Sequence, residues 1–431
     1  MAEIQAFRGL RYDLAKVGDL SRVVAPPYDV IDKSLQDQLY EQSDHNIIRL
    51  ELNREQPGDD ENTSRYVRAA NFLKDWRKSG VLQAEEHPAL YLYEQSYEVD
   101  GTAFTRTGFF ARVRLERFGE GRIFPHEQTL SGPKADRLRL YEATHTQLSP
   151  IFGLYPDAAN EVAAAVTAAR SDRTPLAVKD HLGVTHRLWV VTDQHAHTRV
   201  QGLMADKPIF IADGHHRYET GLAYRDRLAA HQTLAPDSPA NFCLMALVGM
   251  SDPGLTILPT HRLVSGFPNL SGERLTAYLA PEFDVVAKGS GPAAARAAWD
   301  DVVAFGDQDM LAFGTVHDDQ WFTAQLRSDA TMDRLVPQQS AEWRALGVSI
   351  LRELVISHLL KDAGTPSFRY VHLLDEVVSD VAARGCDLAC LVPPATMEHV
   401  KTIASQNETM PPKSTYFYPK LLTGLILNPL A

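Results

Sequence analysis

The residues best equipped for chemistry stand together as Asp213, Gly214, His215, His216 and Arg217, just after the apolar run Ile209 to Ala212. That run is too short for a helix, and Pro208 marks its start, so it is expected to be a buried strand. Gly214 lets the backbone turn sharply and approach a ligand closely. Beyond it, Tyr218, Leu222 and Ala229 fall on one face of a 3.6-residue helix. The exposed amides of such a helix start, with Arg217 beside them, suit a phosphate. An Asp213 that merely capped the helix would not call for Gly, two His and Arg in succession.

Two further clusters could serve the same chemistry. In Val23 to Ile31, Pro26 and Pro27 hold the backbone extended and stop any helix, so a stiff loop presents Tyr28 and Asp29. Asp32 is placed to cap a helix over Leu35 to Gln42. The second cluster is Phe124-Pro125-His126-Glu127-Gln128-Thr129, followed by Lys134, Asp136 and Arg137. Its ionisable groups are dense, and Gly132-Pro133 breaks regular structure, so a functional loop leading into a helix is expected. A phosphate-binding turn, a rigidly held Asp29 and an acid/base-rich loop with His126, Glu127, Lys134 and Arg137 suit phosphoryl transfer. That reaction is catalysed chiefly by positioning and charge neutralisation, with one carboxylate orienting or deprotonating the acceptor. Carboxylates would also help hold Mg²⁺ between phosphates.

Other nucleotide and metal chemistries fit poorly. No G-x-x-x-x-G-K-[ST] occurs. Gly289-Ser290-Gly291-Pro292 imitates a dinucleotide fingerprint but lacks its third glycine, and Pro292 removes a donor from the turn. Cys243, Cys386 and Cys390 suggest a reducing compartment, and Cys386 and Cys390, in apolar surroundings, read as core residues. His215 and His216 would diverge by about 100° on a helix, and His195-x-His197 reads as a surface loop.

The elements that must position these groups follow from periodicity. Asn46 to Leu52 alternates like a strand. Tyr66, Ala69, Ala70, Leu73 and Trp76 trace a helix ended by Gly80. Ala89 to Tyr97 and Thr105 to Leu115 read as a hairpin across Asp100-Gly101. Asn160 to Arg170 is an expected helix, and Leu188 to Thr192, Asn241 to Val248 and Leu255 to Arg262 are expected strands. Beyond about residue 270 the composition changes. Helices over Pro292 to Val303 and Val348 to Leu360, with strands at Met310 to Val316, Trp321 to Leu326 and Asp387 to Val392, suggest a second α+β region. Met410 to Lys420 (MPPKSTYFYPK) is stiff and donor-rich, able to close over an anion or to pack as a terminal arm.

At 431 residues, two domains are expected, 1–270 and 271–431, the end of the second able to return to the site. With 44% hydrophobic and 23% charged residues, a substantial core is expected. A formal charge of −12 argues against general nucleic-acid binding. The first eleven residues show no secretory signal pattern, and no apolar run approaches a membrane span. A cytoplasmic protein is expected.

Asp213 to Glu219 resembles the phosphate-binding motif of the ParB/sulfiredoxin-like superfamily, in the form found in free L-serine kinases. The VVAPPYDVI, HEQT, ADGHHRYET, LPTHR and PPKSTYFYPK stretches together resemble one large bacterial and archaeal family linked to those kinases. The resemblance implies an α+β fold with a ParB/sulfiredoxin-like mixed-sheet core, elaborated by a second α+β region. It assigns Gly214, His215, His216 and Arg217 to nucleotide phosphates and Asp213 to the metal or acceptor. His215 stands where sulfiredoxins carry their nucleophilic cysteine, which argues against sulfinic-acid repair. Asp29 or Glu127 would replace the kinases' N-terminal glutamate as base, with Lys134 and Arg137 neutralising charge. The reaction implied is transfer of phosphate from ATP or ADP, with Mg²⁺, to free L-serine. The rival readings are a ParB-like nucleotide clamp acting through a dimer interface and another ATP-consuming ligase or hydrolase. A homodimer is left open.

Overall fold

The computed structural model describes residues 3–127, 131–172 and 174–430, so Gln128 and Thr129 of the HEQT stretch lie outside the described residues. The chain forms two compact units. The first comprises Met1–Pro125, Thr129–Leu255 and Pro419–Ala431; the second comprises His126–Gln128 and Thr256–Tyr418.

The first unit is built on a mixed sheet. Its strands run, in spatial order, Ile123–Pro125, Ile209–Asp213, Ile151–Tyr155, Phe242–Gly249, Thr102–Arg114, Leu90–Val99, Thr185–Val191 and Leu176–Lys179; Ile4–Gln5 adds to Thr102–Arg114. Ile209–Asp213 pairs parallel with Ile123–Pro125, and Phe242–Gly249 parallel with Ile151–Tyr155; the other ladders are antiparallel. The expected hairpin forms, with Asp100 at φ 48° and Gly101 at φ 75°, the paired positive angles of a type I′ turn. Phe109, Ile151, Ile211, Met245 and Leu247 interlock with Val162, Val166 and Val200 from covering helices to form the core. The expected helices appear at Arg65–Lys78, Glu161–Ala168 and His215–His231.

Two local expectations are corrected. Asn46 to Leu52 is not a strand: Ile48–Glu51 is a short helix, because buried Asn46 accepts the Ile48 amide proton through Oδ1 (3.0 Å) and bends the chain. His195-x-His197 is not a loop either. It opens the helix Gln194–Met204, and His197 is buried with its Nε2 2.8 Å from the Val191 carbonyl.

The second unit carries an antiparallel sheet of order Phe283–Ser290, Gln320–Leu326, Met310–Thr315, Leu388–Leu391, His261–Ser265, Ser367–Val371. The helix Gly291–Phe305 packs Ala294, Ala295, Ala298 and Val302 into its core. The run expected as one strand from Leu255 to Arg262 is split, since Pro259 cannot donate to a ladder. Thr256–Leu258 pairs with Tyr416–Tyr418, while His261–Ser265 joins the sheet. In the dinucleotide-like stretch, Gly289 lies at the end of an edge strand paired antiparallel and Gly291 opens the following helix, so there is no parallel βαβ unit there. The apolar helix expected over Val348 to Leu360 forms, but Ile350–Leu359 is wound as a π-helix. All three cysteines are free and buried. Among the described residues no helix is long and apolar enough to cross a membrane.

Candidate functional site

In the first unit the site is built from the strand-to-helix turn outward. Ile209–Asp213 ends with a register shift between Ile211 and Asp213 against Ile151–Tyr155, a bulge that re-aims the last side chain of the strand. Gly214 follows at φ 91°, the left-handed conformation that glycine tolerates best, and becomes the N-cap of His215–His231. A Cβ there would lie 3.0 Å from the Arg217 guanidinium, so the turn needs glycine for space as well as for φ. Gly214 has no side chain with which to cap the helix, whose first turn carries the partial positive charge of a helix start.

Asp213 sits between two cations. Arg217 Nη2 donates to Oδ2 at 2.5 Å and Lys420 Nζ to Oδ1 at 2.6 Å. Burial disfavours its charged form, but Lys420 and Arg217 outweigh that and hold the carboxyl well below the usual range. Lys420 is delivered by the returning C-terminal segment. Gln95 Nε2 donates to the Lys420 carbonyl (3.1 Å), and fully buried Arg106 donates to the Pro419 carbonyl (2.6 Å). Sequence reading noted Lys420 only as part of a donor-rich arm and missed Gln95 and Arg106.

Arg217 is 3% exposed and donates to Asp213 and to the Pro150 carbonyl. Burial opposes its charge, and Asp213, Asp29, Tyr28 and Glu51 more than compensate, keeping the guanidinium firmly protonated. This electrostatic set gathers the Asp29 loop around the turn. Tyr28–Val30 forms a 3₁₀ turn after Pro27, with Asp29 exposed. Ile47 N donates to the Val23 carbonyl (2.7 Å), and the Asn46 side chain donates to the Arg22 and Val24 carbonyls, so the loop is fixed from behind.

Arg137 lies under Tyr28, its guanidinium carbon 4.2 Å from the ring centre. It is also buried, donating to the Glu51 carbonyl (2.8 Å), Glu51 Oε1 (3.1 Å) and Asp136 Oδ2 (2.7 Å from Nε). Glu51, which sequence reading passed over, accepts a further bond from Ser149 Oγ at 2.9 Å. Lys134 differs from these arginines. It is 37% exposed and pairs with Glu219 of the motif helix at 2.8 Å. His215 is buried and His216 half-buried at the start of that helix.

His126 and Glu127 belong to the second unit. His126 Nε2 lies 2.7 Å from Thr415 Oγ1, and the Met410 amide donates to the His126 carbonyl at 2.8 Å. Glu127 is bridged in parallel to Met410, and its Oε1 is buried with no hydrogen-bond partner. Arg262 of LPTHR donates to the Lys413 carbonyl (2.9 Å). His126, Glu127, LPTHR and residues 411–418 of the proline-rich arm thus gather in one unit, and VVAPPYDVI, ADGHHRYET and Lys420 in the other.

Asp213 does not fit the part of metal ligand, since both its oxygens already accept from cations. Among the described residues no group of three or more His, Cys, Asp or Glu is arranged to hold a metal ion.

Residues 4–349 match the family described as "Protein of unknown function (DUF1015)". The chain belongs to that family. No curated protein matches it. Among solved structures it is similar to a free serine kinase variant in complex with ADP, at 14% identity and TM-score 0.34 over 69% of this chain and 84% of that one. It is also similar to a free serine kinase in complex with AMP, at 15% identity and TM-score 0.32 over 69% and 83%. A third is SbnI from Staphylococcus aureus, at 10% identity and TM-score 0.34 over 73% and 85%. At these values the functional argument rests on the residues of this chain.

Proposed function

We propose that this DUF1015 family member is a cytoplasmic small-molecule kinase that transfers a nucleotide phosphate to a hydroxyl acceptor, free L-serine being the acceptor suggested by the motif resemblance. The observation that carries the reading is the start of the helix His215–His231 behind a left-handed Gly214, with Asp213 and Lys420 beside it. Backbone amides at such a start, backed by lysine, suit phosphate oxygens. In this reading the amides after Gly214 and Lys134 meet the phosphates, ATP or ADP entering as its magnesium complex. Arg217 and Arg137 act one step back, holding Asp213 and Glu51 so that the turn and the Asp29 loop keep their places. Asp29, exposed and within electrostatic reach of Arg217, is the candidate base for the acceptor hydroxyl. The functional division into 1–270 and 271–431 and the ParB/sulfiredoxin-like ancestry stand as part of this proposal.

The test is phosphorus NMR of the protein with Mg²⁺, L-serine and either ATP or ADP. O-phosphoserine should form, and Asp29→Asn should slow its formation by about 10²–10⁴-fold, the usual contribution of a positioned base. Nucleotide hydrolysis without phosphoserine would move the acceptor away from serine. No turnover and no nucleotide binding would overturn the kinase reading.

A further inference from the structure

The second unit contains a cavity of about 280 Å³ that the proposed kinase chemistry does not use. Its walls are apolar and aromatic, formed by Leu351, Ile356, Phe368, Tyr370 and Pro411, and one buried cation, Arg262, faces it. Phe368 and Tyr370 stand on the edge strand Ser367–Val371 and are 43% and 38% exposed, unusual for large rings.

Arg262 is 6% exposed. Its guanidinium donates to backbone carbonyls, those of Thr260 and Lys413, and among the described residues no carboxylate stands within ion-pair distance of it. Tyr370 is its direct partner across the ladder, with the guanidinium carbon 5.8 Å from the ring centre. Two carbonyls and a ring orient the guanidinium, and Glu127 acts on its charge only from beyond ion-pair distance, so no anion is in contact with it in a low-dielectric interior. Arg352, the other cation at the cavity, is already paired with Glu353 at 3.2 Å.

One wall adds a separate sign of specialisation. Ile350–Leu359 is a π-helix, with Ser357 Oγ donating to the Arg352 carbonyl (2.8 Å) and Leu360 N to the Val355 carbonyl (2.9 Å). Such winding is rare and concentrates at functional sites.

From these features we infer that the cavity binds a small organic monocarboxylate with an apolar or aromatic body, its carboxylate on Arg262 and its body against Phe368, Tyr370 and Leu351. One unpaired guanidinium matches one negative charge in the bidentate manner arginine favours, whereas a phosphate dianion would call for further donors. The volume lies at the small end for ligand pockets, which limits the body to about the size of a single ring or branched chain.

Isothermal titration calorimetry of the full chain tests this with phenylacetate, isovalerate, phenylacetamide and phenyl phosphate. Phenylacetate or isovalerate should bind, and phenylacetamide at least about tenfold more weakly, the least a hydrogen bond to a charged group is worth. Arg262→Gln should abolish binding. Because that variant removes bonds that hold Lys413, Phe368→Ala serves as a second, half-exposed substitution and should weaken binding several-fold with unfolding unchanged. The inference is overturned if neither carboxylate binds, if the amide or the phosphate ester binds as tightly as the carboxylate, or if Phe368→Ala leaves affinity unchanged.

Discussion

Asp213 is where charge, geometry and proposed chemistry meet, and its environment makes a signed prediction. Its folded-state pKa lies below the unfolded value because Lys420 and Arg217 overcome the cost of burial. The stability this contributes is present above the unfolded carboxyl range, about pH 4, and is lost as pH falls through the lower folded value. Asp213→Asn should therefore flatten the acid limb below about pH 4 in urea-unfolding curves measured across pH. An unchanged limb would mean that the two cations contribute nothing to it. Arg217 is too deeply committed for a clean functional test. Breaking a buried pair costs about 3–5 kcal/mol, so Arg217→Ala should unfold at markedly lower urea as well as lose nucleotide binding. Lys134 is the better probe, since it is partly exposed. Lys134→Ala should keep its unfolding midpoint and lose about a hundredfold in turnover, the usual cost of one transition-state donor. Full turnover in Lys134→Ala would remove Lys134 from the phosphate site.

At the scale of elements, the loop that carries Asp29 depends on a side chain far from any reacting atom. Asn46 is fully buried, donates to the Arg22 and Val24 carbonyls and accepts from the Ile48 amide. Asn46→Ala leaves buried carbonyls unsatisfied and should cost about 1–3 kcal/mol. Faster hydrogen exchange confined to residues 20–31 and 46–51 would show that the loop has been released. This latch was not legible in the sequence, because alternation suggested a strand and a side-chain cap competes with a ladder only once its partners are in place. The hairpin at Asp100-Gly101 and the strand-turn-helix of Asp213 to Arg217 were legible, since φ preference and periodicity act over a few residues. The winding of Ile350–Leu359 was not. Its apolar pattern fits a helix, but only packing around it selects a π-helix over an α-helix.

At the scale of the whole molecule, the chain leaves the first unit and returns to it at residue 419. The returning segment pairs Thr423 with Ala25, Leu427 with Leu10 and Asn428–Pro429 with Thr146–Gln147, besides delivering Lys420. Removing residues 419–431 should destabilise the first unit broadly, seen as a lower urea midpoint and faster proteolysis within 3–125; a truncated chain as stable as the intact one would refute this. The second unit should show its own acid sensitivity in urea-unfolding curves measured across pH. His261 is 1% exposed, and burial, with Arg262 and His372 nearby, depresses its pKa to about 3. A depressed histidine contributes stability above its unfolded value, about pH 6.5, that is lost as pH falls towards the folded one. The sequence by itself determined the Asp100-Gly101 hairpin, the burial of Cys386 and Cys390, and the strand-turn-helix of Asp213 to Arg217. It did so because glycine and proline torsions, apolar spacing and turn chemistry are properties of neighbouring residues. Only the tertiary structure decided that Arg217 and Arg137 are buried and ion-paired, that Lys420 meets Asp213, and that His126 and Glu127 lie in one unit with Arg262 and residues 411–418. Those outcomes depend on contacts between residues far apart in the chain and on the cost of leaving a buried charge without a partner.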